Sequence, residues 1–401
     1  MTTAAAVHEP DTPEKLAAAL ADASRGRLST IIRGAGTKLD WGRPSGHVDC
    51  IIKTSRLNRI VAHRHGDLTA TIQSGAALTK VNRQLAVRGQ WLPIDTAFDA
   101  ATIGGIVATN DAGPLRHRFG TPRDLLIGVT LALTDGRIIK AGGHVVKNVA
   151  GYDLGRLMSG SFGALAAIVD ATFKLLPVPA ASQTVVAQFA DAASLARAVA
   201  HLSDTDLEPI AFDVHVIVPR GEYWLLVRFA TSPAATDAQV ASARALLDPS
   251  TRSAGSGQAP PSGVVSDADE DKLWREHRQD VWKPDGAVAR VSWLPASLEQ
   301  VLSRLETIAR DTGASIELAA RAGVGAGFVR IDGDDRVQTT AIEQLRARGD
   351  IVNHVVVLRA ASGVKQQIDP WGRNPQLDPL YRSLKQTFDP EGILNAGRGP
   401  I

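Results

Sequence analysis

Thr102-Ile103-Gly104-Gly105-Ile106-Val107-Ala108-Thr109-Asn110-Asp111-Ala112-Gly113 is the stretch that most limits what this chain can build. Its residues are small or apolar, too apolar for a linker. Gly104 and Gly105 drop two Cβ atoms in succession, which lets a backbone approach a ligand closely and visit positive φ. Successive peptide N–H groups can then converge on an anion. Thr102, Thr109 and Asn110 add polar side chains to that surface. A pyrophosphate held by backbone amides suits such a segment, and a plain Gly-rich turn ahead of a strand accounts for it equally well.

Two other segments favour the ligand. Upstream, Thr30–Arg33 reads as a short strand that empties into Gly34-Ala35-Gly36-Thr37-Lys38. Downstream, Lys147-Asn-Val-Ala-Gly-Tyr-Asp-Leu154 is followed by Ser159-Gly-Ser-Phe-Gly-Ala-Leu-Ala166. Small-residue turns at three places suggest one long ligand gripped along its length, as a dinucleotide is.

The ordered set Arg-Gly-x-Gly-Thr, Thr-Ile-Gly-Gly, Lys-Asn-x-x-Gly-Tyr-Asp-Leu and Gly-Ser-x-Gly resembles the vanillyl-alcohol-oxidase (PCMH-type) family of FAD-binding domains. Phe388-Asp-Pro-Glu-Gly-Ile-Leu-Asn-Ala-Gly-Arg398 matches that family's closing motif. Within it, residues 147–154 and the length of 401 residues are most similar to the FAD-binding E-subunit family of glycolate oxidase. The resemblance is dense over 29–179 and 381–401 and thin between them.

What the resemblance implies is an α+β protein: a two-part PCMH-type FAD-binding domain at 1–179, an α+β cap domain at 180–380, and a segment at 381–401 that returns to the FAD domain. It implies that Arg33, Gly34, Ala35, Gly36, Thr37 and Lys38, with Thr102, Ile103, Gly104 and Gly105, approach the pyrophosphate. Ala108, Thr109, Asn110 and Gly113 would line its path, and Arg116 would face a phosphate or an anionic substrate. Gly160, Gly163 and Ile168 would lie near the adenine or ribityl portion, and Asn395 at the isoalloxazine edge. For each glycine the alternative is a tight turn, for Asn395 a helix stop, and for Arg116 a solvated basic turn. Some members attach FAD through a histidine in the first Gly turn; Gly36-Thr37-Lys38 stands there in this chain, so the flavin is expected to be non-covalent. Many relatives also carry Glu where this chain has Phe162.

Composition fits a globular enzyme. Hydrophobic residues make up 44% and charged residues 21%, and a net charge of +2 without basic runs argues against nucleic acid as a partner. The single cysteine, Cys50, sits in an apolar run and can form neither an intrachain disulfide nor a cluster. No apolar stretch is long enough to span a bilayer, and residues 1–9 lack an export signal. The protein is expected to be cytoplasmic, with contact to the inner membrane face only through partners.

Beyond Pro177-Val-Pro179 the pattern alternates between helix and strand, as in a sheet with helices on one face. Residues 249–268, rich in Pro, Gly and Ser, read as a mobile loop. Gly323-Val-Gly-Ala-Gly327 lacks the following helix of a nucleotide fingerprint, and Asp332-Gly-Asp-Asp335 reads as a solvated turn. Trp274, Trp282 and Trp293 read as core or interface anchors.

One expected motif is absent. Flavin 2-hydroxyacid dehydrogenases of this family carry His-x-Gly-Asp-Gly-Asn-x-His in the cap, and this chain does not. Its cap histidines, His201, His215, His277 and His354, are widely spaced and read as structural or surface residues. His354 is the leading catalytic candidate, and no metal is expected. The resemblance implies an FAD-binding subunit of a glycolate dehydrogenase complex, partnered by a catalytic FAD-linked D-type subunit and an iron–sulfur F-type subunit. A stand-alone FAD-dependent 2-hydroxyacid dehydrogenase and a non-catalytic assembly subunit are the alternatives.

Overall fold

The computed structural model describes residues 5–143, 152–247, 263–347, 349–372 and 374–399. Among them, those within Met1–Ala112, Phe119–Val178 and Arg373–Ile401 form one compact unit, and those within Gly113–Arg118 and Pro179–Gly372 form a second.

The first unit contains two main sheets. Thr30–Arg33, Cys50–Lys53 and Ala6–His8 make a parallel sheet with Cys50–Lys53 at its centre. Helix Pro13–Arg25 covers it. Thr12 caps that helix by accepting from the Lys15 amide, Pro13 occupies the first helical position, and Leu16, Ala17 and Leu20 are buried with Cys50 and Ile52. The second sheet is antiparallel, in the order Ile60–Arg64, Thr69–Gln73, Ala167–Lys174, Leu126–Ala132, Ile138–Gly142. Its last two strands form the hairpin that Thr134-Asp135-Gly136 signals. Thr69–Gln73 alternates in sequence as a half-buried strand would, yet all five of its residues are buried.

The 102–113 segment departs most from its sequence reading. Ile103–Thr109 is a helix, with Thr102 at its N-cap, and neither Gly104 nor Gly105 has positive φ. The Ile103 and Gly104 amides donate to Ala76 O and Ser74 O. Ile103, Ile106 and Val107 are buried against the antiparallel sheet. Docking on the 74–76 turn outweighs the low helix propensity of a glycine pair, roughly 1 kcal/mol per residue.

The second unit is built on an eight-stranded antiparallel sheet, in the order Gly263–Ser266, Ala181–Phe189, Glu222–Thr231, Ala211–Val218, Ser315–Arg321, Ala326–Asp332, Ala287–Ser292, His354–Arg359. Helices Ala192–Ser203, Pro233–Leu246, Leu298–Thr312 and Asp335–Arg346 bury their apolar stripes on one face. Helices were expected on one face alone. Asp267–Asp280 instead covers part of the other, where Trp274 packs on Val186, Trp224 and Leu226. Strand alternation forces this division: Phe212, Val214 and Val216 point to the helical core, so Asp213 and His215 point to the second face.

Residues 249–262 of the expected mobile loop lie outside the described residues, as does 147–151 of the Lys-Asn-x-x-Gly-Tyr-Asp-Leu segment. Residues 263–268 of that loop belong to regular elements: Gly263–Ser266 pairs with Ala181–Phe189, and Asp267 begins a helix. Asp334, expected in a solvated turn, caps the next helix by accepting from the Val337 amide. No helix among the described residues is long and apolar enough to cross a membrane.

Candidate cofactor site

A cleft open to solvent lies within the first unit. Four stretches far apart in sequence build it. The Thr30–Arg33 strand delivers Gly34–Lys38 to one wall. The Ile103–Thr109 helix presents Thr102, Gly104, Gly105, Ala108 and Thr109. The 160–163 turn contributes Phe162 and Gly163, and the closing segment adds Asn395 and Arg398.

Hydrogen bonds hold these pieces to one another. Gly160 N and Phe162 N donate to Val107 O and Ala108 O, so the turn hangs on the last turn of the helix. Asn395 N donates to Thr30 O, and Asn395 Nδ2 to Phe162 O. Arg398 reaches Trp41 O with Nε and Lys38 O with Nη2. Gly34 is bare because a Cβ there would overlap the Thr102 side chain. The two glycines of the helix differ. A Cβ on Gly104 would lie 2.7 Å from Ser74 Cβ, whereas one on Gly105 would meet nothing nearer than Thr102 Oγ1 at 3.4 Å. Gly104 makes room for packing, and Gly105 leaves room in the cleft. With the Ile103 and Gly104 amides already engaged, the closely approached backbone offers space more than a nest of free N–H groups.

Fourteen sequence candidates line the cleft together: Arg33, Gly34, Ala35, Gly36, Thr37, Lys38, Thr102, Gly104, Gly105, Ala108, Thr109, Gly163, Ile168 and Asn395. Five do not. Ile103 is in the core. Asn110 ends the helix in the left-handed region and accepts from the Arg123 amide. Gly160 turns the chain at positive φ, and Gly113 and Arg116 belong to the second unit. Sequence reasoning missed Ile32, Leu39, Thr54, Ser74, Phe162, Ala166 and Arg398 as lining residues. Thr54 and Ser74 follow strand ends, and Ser74 precedes Gly75, whose Cβ would overlap Thr54 O. A strand running into Ser-Gly was the available signal.

Three polar atoms in this lining are buried without a hydrogen-bond partner: Lys38 Nζ, Ser74 Oγ and Asn395 Oδ1. Lys38 Nζ lies 3.0 Å from Asp111 Oδ2 in a buried ion pair and faces the Trp41 and Phe98 rings at 5.5 and 5.8 Å. Buried polar groups normally find partners. An acceptor and a hydroxyl left open, beside an ammonium paired with Asp111, fit a dinucleotide with anionic and amide-like parts. No histidine or cysteine is among the described lining residues.

Residues 4–142 match the FAD binding domain family, and residues 365–398 match the C-terminal domain of FAD linked oxidases. The chain carries an FAD-binding domain. Its sequence is 31% identical over 209 residues to glycolate oxidase subunit GlcD of Bacillus subtilis (strain 168), covering 52% of this chain and 44% of that protein. It is 34% identical over 182 residues to glycolate oxidase subunit GlcE of Escherichia coli (strain K12), covering 45% and 50%. The matched stretches thus span about half the length of these relatives. The fold is that of alkyldihydroxyacetonephosphate synthase, with a TM-score of 0.70 at 19% identity, covering 97% of this chain and 76% of that one.

The second unit gathers the histidines that looked scattered. His215 Nε2 lies 2.9 Å from Glu317 Oε1, His277 Nε2 lies 2.9 Å from Asp213 Oδ2, and the two rings are 5.3 Å apart. Burial pushes Glu317 up, but its hydrogen bond to His215 and the charges of His215, Lys283 and Arg330 outweigh that and hold it below the ordinary carboxylate range. His354, by contrast, is exposed at the start of its strand.

His117 also belongs to this unit. Its ring lies against Gly323, where a Cβ would sit 2.7 Å from Cε1, and meets Phe212 edge-on at 5.7 Å. Burial holds its imidazole below the ordinary value, with Asp213 opposing that shift and Arg118 adding to it. The folded chain therefore keeps His117 neutral, while the unfolded chain takes up a proton below about pH 6.5. This contribution to stability is full above that pH and declines as pH falls, by at most about 1.4 kcal/mol per pH unit. We expect the thermal midpoint to drop between pH 7.5 and 5.5, and His117→Phe, which keeps the ring, to drop less. Equal drops would show that His117 is not the group responsible.

Proposed function

We propose that this protein is an FAD-dependent oxidoreductase acting on the CH–OH group of 2-hydroxy acids, as the FAD-binding subunit of a glycolate-oxidising complex. The observation that carries this reading is the coincidence of two facts. The FAD-binding domain keeps an open, partly unsatisfied cleft, and 182 residues of the chain are 34% identical to a protein named as a glycolate oxidase subunit. Arg33, Thr37 and Lys38, with Thr102, Gly104 and Gly105, would hold the pyrophosphate. Asn395 would meet the polar edge of the isoalloxazine through its open Oδ1. Bound FAD supplies the hydride acceptor; the protein supplies position and a largely dry wall of Ile32, Leu39, Phe162 and Ile168. The partners would be an FAD-linked D-type subunit, where substrate is oxidised, and an iron–sulfur F-type subunit.

A stand-alone dehydrogenase is a second reading, favoured by a 24% identical relative named D-2-hydroxyglutarate dehydrogenase, the match covering 98% of this chain and 88% of that protein; alcohol oxidation would then need a base in this chain. The two readings separate on turnover. The isolated chain should be yellow, release FAD on denaturation, and oxidise glycolate or D-lactate slowly with a dye as acceptor, while added partner subunits should restore turnover. A rate on the order of 10 s⁻¹ from the isolated chain would establish the stand-alone enzyme. A colourless preparation that binds no added FAD would leave an assembly role.

A further inference from the structure

We propose that the second unit binds a divalent metal ion of the zinc class at His215, Asp280 and Glu317. These residues come from three elements: the Ala211–Val218 strand, the end of the Asp267–Asp280 helix and the Ser315–Arg321 strand. Each offers one ligand atom, and the three atoms lie within 4.8 Å of one another. Ligands about 2.0–2.2 Å from an ion lie roughly 3–3.5 Å apart, so His215 Nε2 and Glu317 Oε1, at 2.9 Å, need little movement. One imidazole with two carboxylates is a donor set suited to Zn²⁺ and its neighbours. It is not the His-x-Gly-Asp-Gly-Asn-x-His motif, which this chain lacks.

Access and charge agree. The His215 and Asp280 side chains are 16% and 34% exposed, leaving room for an ion to enter and for water to complete its shell. Glu317 anchors the buried side, at 7% side-chain exposure. Around the site Asp213, Asp280, Glu317 and Asp332 outnumber Lys283, Arg321 and Arg330. Lys283 Nζ lies 3.4 Å from Asp280 Oδ1 and 3.9 Å from Glu317 Oε2, set against the same two carboxylates an ion would use. Its side chain is 52% exposed and can swing into solvent. Arg330 pairs with Asp332 at 2.7 Å and lies 3.7 Å from Glu317 Oε2, leaving Glu317 Oε1 to an ion. The ion would then replace a lysine ammonium as counter-charge and tie the helix end to the sheet.

The full chain, stripped with a chelator, is titrated with Zn²⁺, and with Co²⁺, whose visible absorption reports an ordered coordination sphere. One ion per chain is expected. His215→Ala and Glu317→Gln should each weaken binding about tenfold or more. Lys283→Ala should tighten it by about two- to fivefold, because a competing surface ammonium is removed. Substitution of the exposed His201 or His354 by Ala should change nothing. FAD content and far-UV circular dichroism check each variant's fold, and Asp280→Asn, at a half-exposed helix end, serves if the buried variants do not fold. The proposal fails if the wild type binds no ion, if binding survives both His215→Ala and Asp280→Asn as an adventitious ion would, or if Lys283→Ala weakens it.

Discussion

Gly105→Val is expected to yield a folded protein that has lost FAD, while Gly104→Ala is expected to yield a destabilised one. The two positions are adjacent, but their missing Cβ atoms face different things. At Gly104 even a methyl group would press on Ser74 Cβ at 2.7 Å, and the Ser74 carbonyl already accepts from the Gly104 amide. Overpacking of that kind costs about 1–3 kcal/mol of stability. At Gly105 the nearest atom is Thr102 Oγ1 at 3.4 Å, and the space beyond is the cleft. A branched side chain there fills the volume the cofactor needs, and FAD affinity should fall about ten- to a hundredfold. Equilibrium dialysis with FAD and denaturant unfolding of the apo proteins separate the two effects. Normal FAD occupancy in Gly105→Val would mean that the cofactor lies elsewhere.

Asp389→Ala should unfold the first unit at a markedly lower urea concentration. Asp389 is 1% exposed. Its carboxylate accepts from the Ile393 and Leu394 amides at 3.1 and 2.8 Å and pairs with Lys385 Nζ at 2.7 Å. Removing it leaves two amides without their acceptor and takes the counter-charge from the Lys385 ammonium, which keeps only the Ala164 and Leu394 carbonyls, a loss on the order of 3–5 kcal/mol. Asp389→Asn keeps an acceptor and should lose less. Because the same turn places Asn395 and Arg398 in the cleft, FAD affinity should fall alongside stability. Wild-type unfolding of Asp389→Ala would show that the turn is held by its apolar residues, Ile393 and Leu394, instead.

Much of the cleft was legible because its parts are chemically unusual. Gly34–Lys38 after an apolar strand, Gly104-Gly105 and Asn395 in its closing motif are residues that ordinary packing does not call for. Ser74, Thr54 and Ile32 were not legible, because strand ends of these types occur everywhere and only tertiary docking brings them to a ligand. The helix at Ile103–Thr109 was hidden for a related reason: its local preference is poor, and the bonds to Ser74 and Ala76 that fix it are long-range. The His215–His277 pair was half visible. Asp213 and His215 alternate with Phe212, Val214 and Val216, so a polar second face followed from strand periodicity alone. Which residue of a helix 50 positions or more downstream would lie against it did not.

The hydrogen bond from Asn395 to Thr30, and the lining that runs from Ile32 to Arg398, set an order of events during synthesis. A ribosome emits the strand that opens the cleft early and the residues that complete it only after the entire second unit has been made. On the growing chain the first unit therefore lacks the wall that Asn395 and Arg398 supply until the residues of the second unit have been made. If FAD lies in this cleft, its loading is expected to follow translation of residue 398, so that cellular FAD supply would act on the released chain.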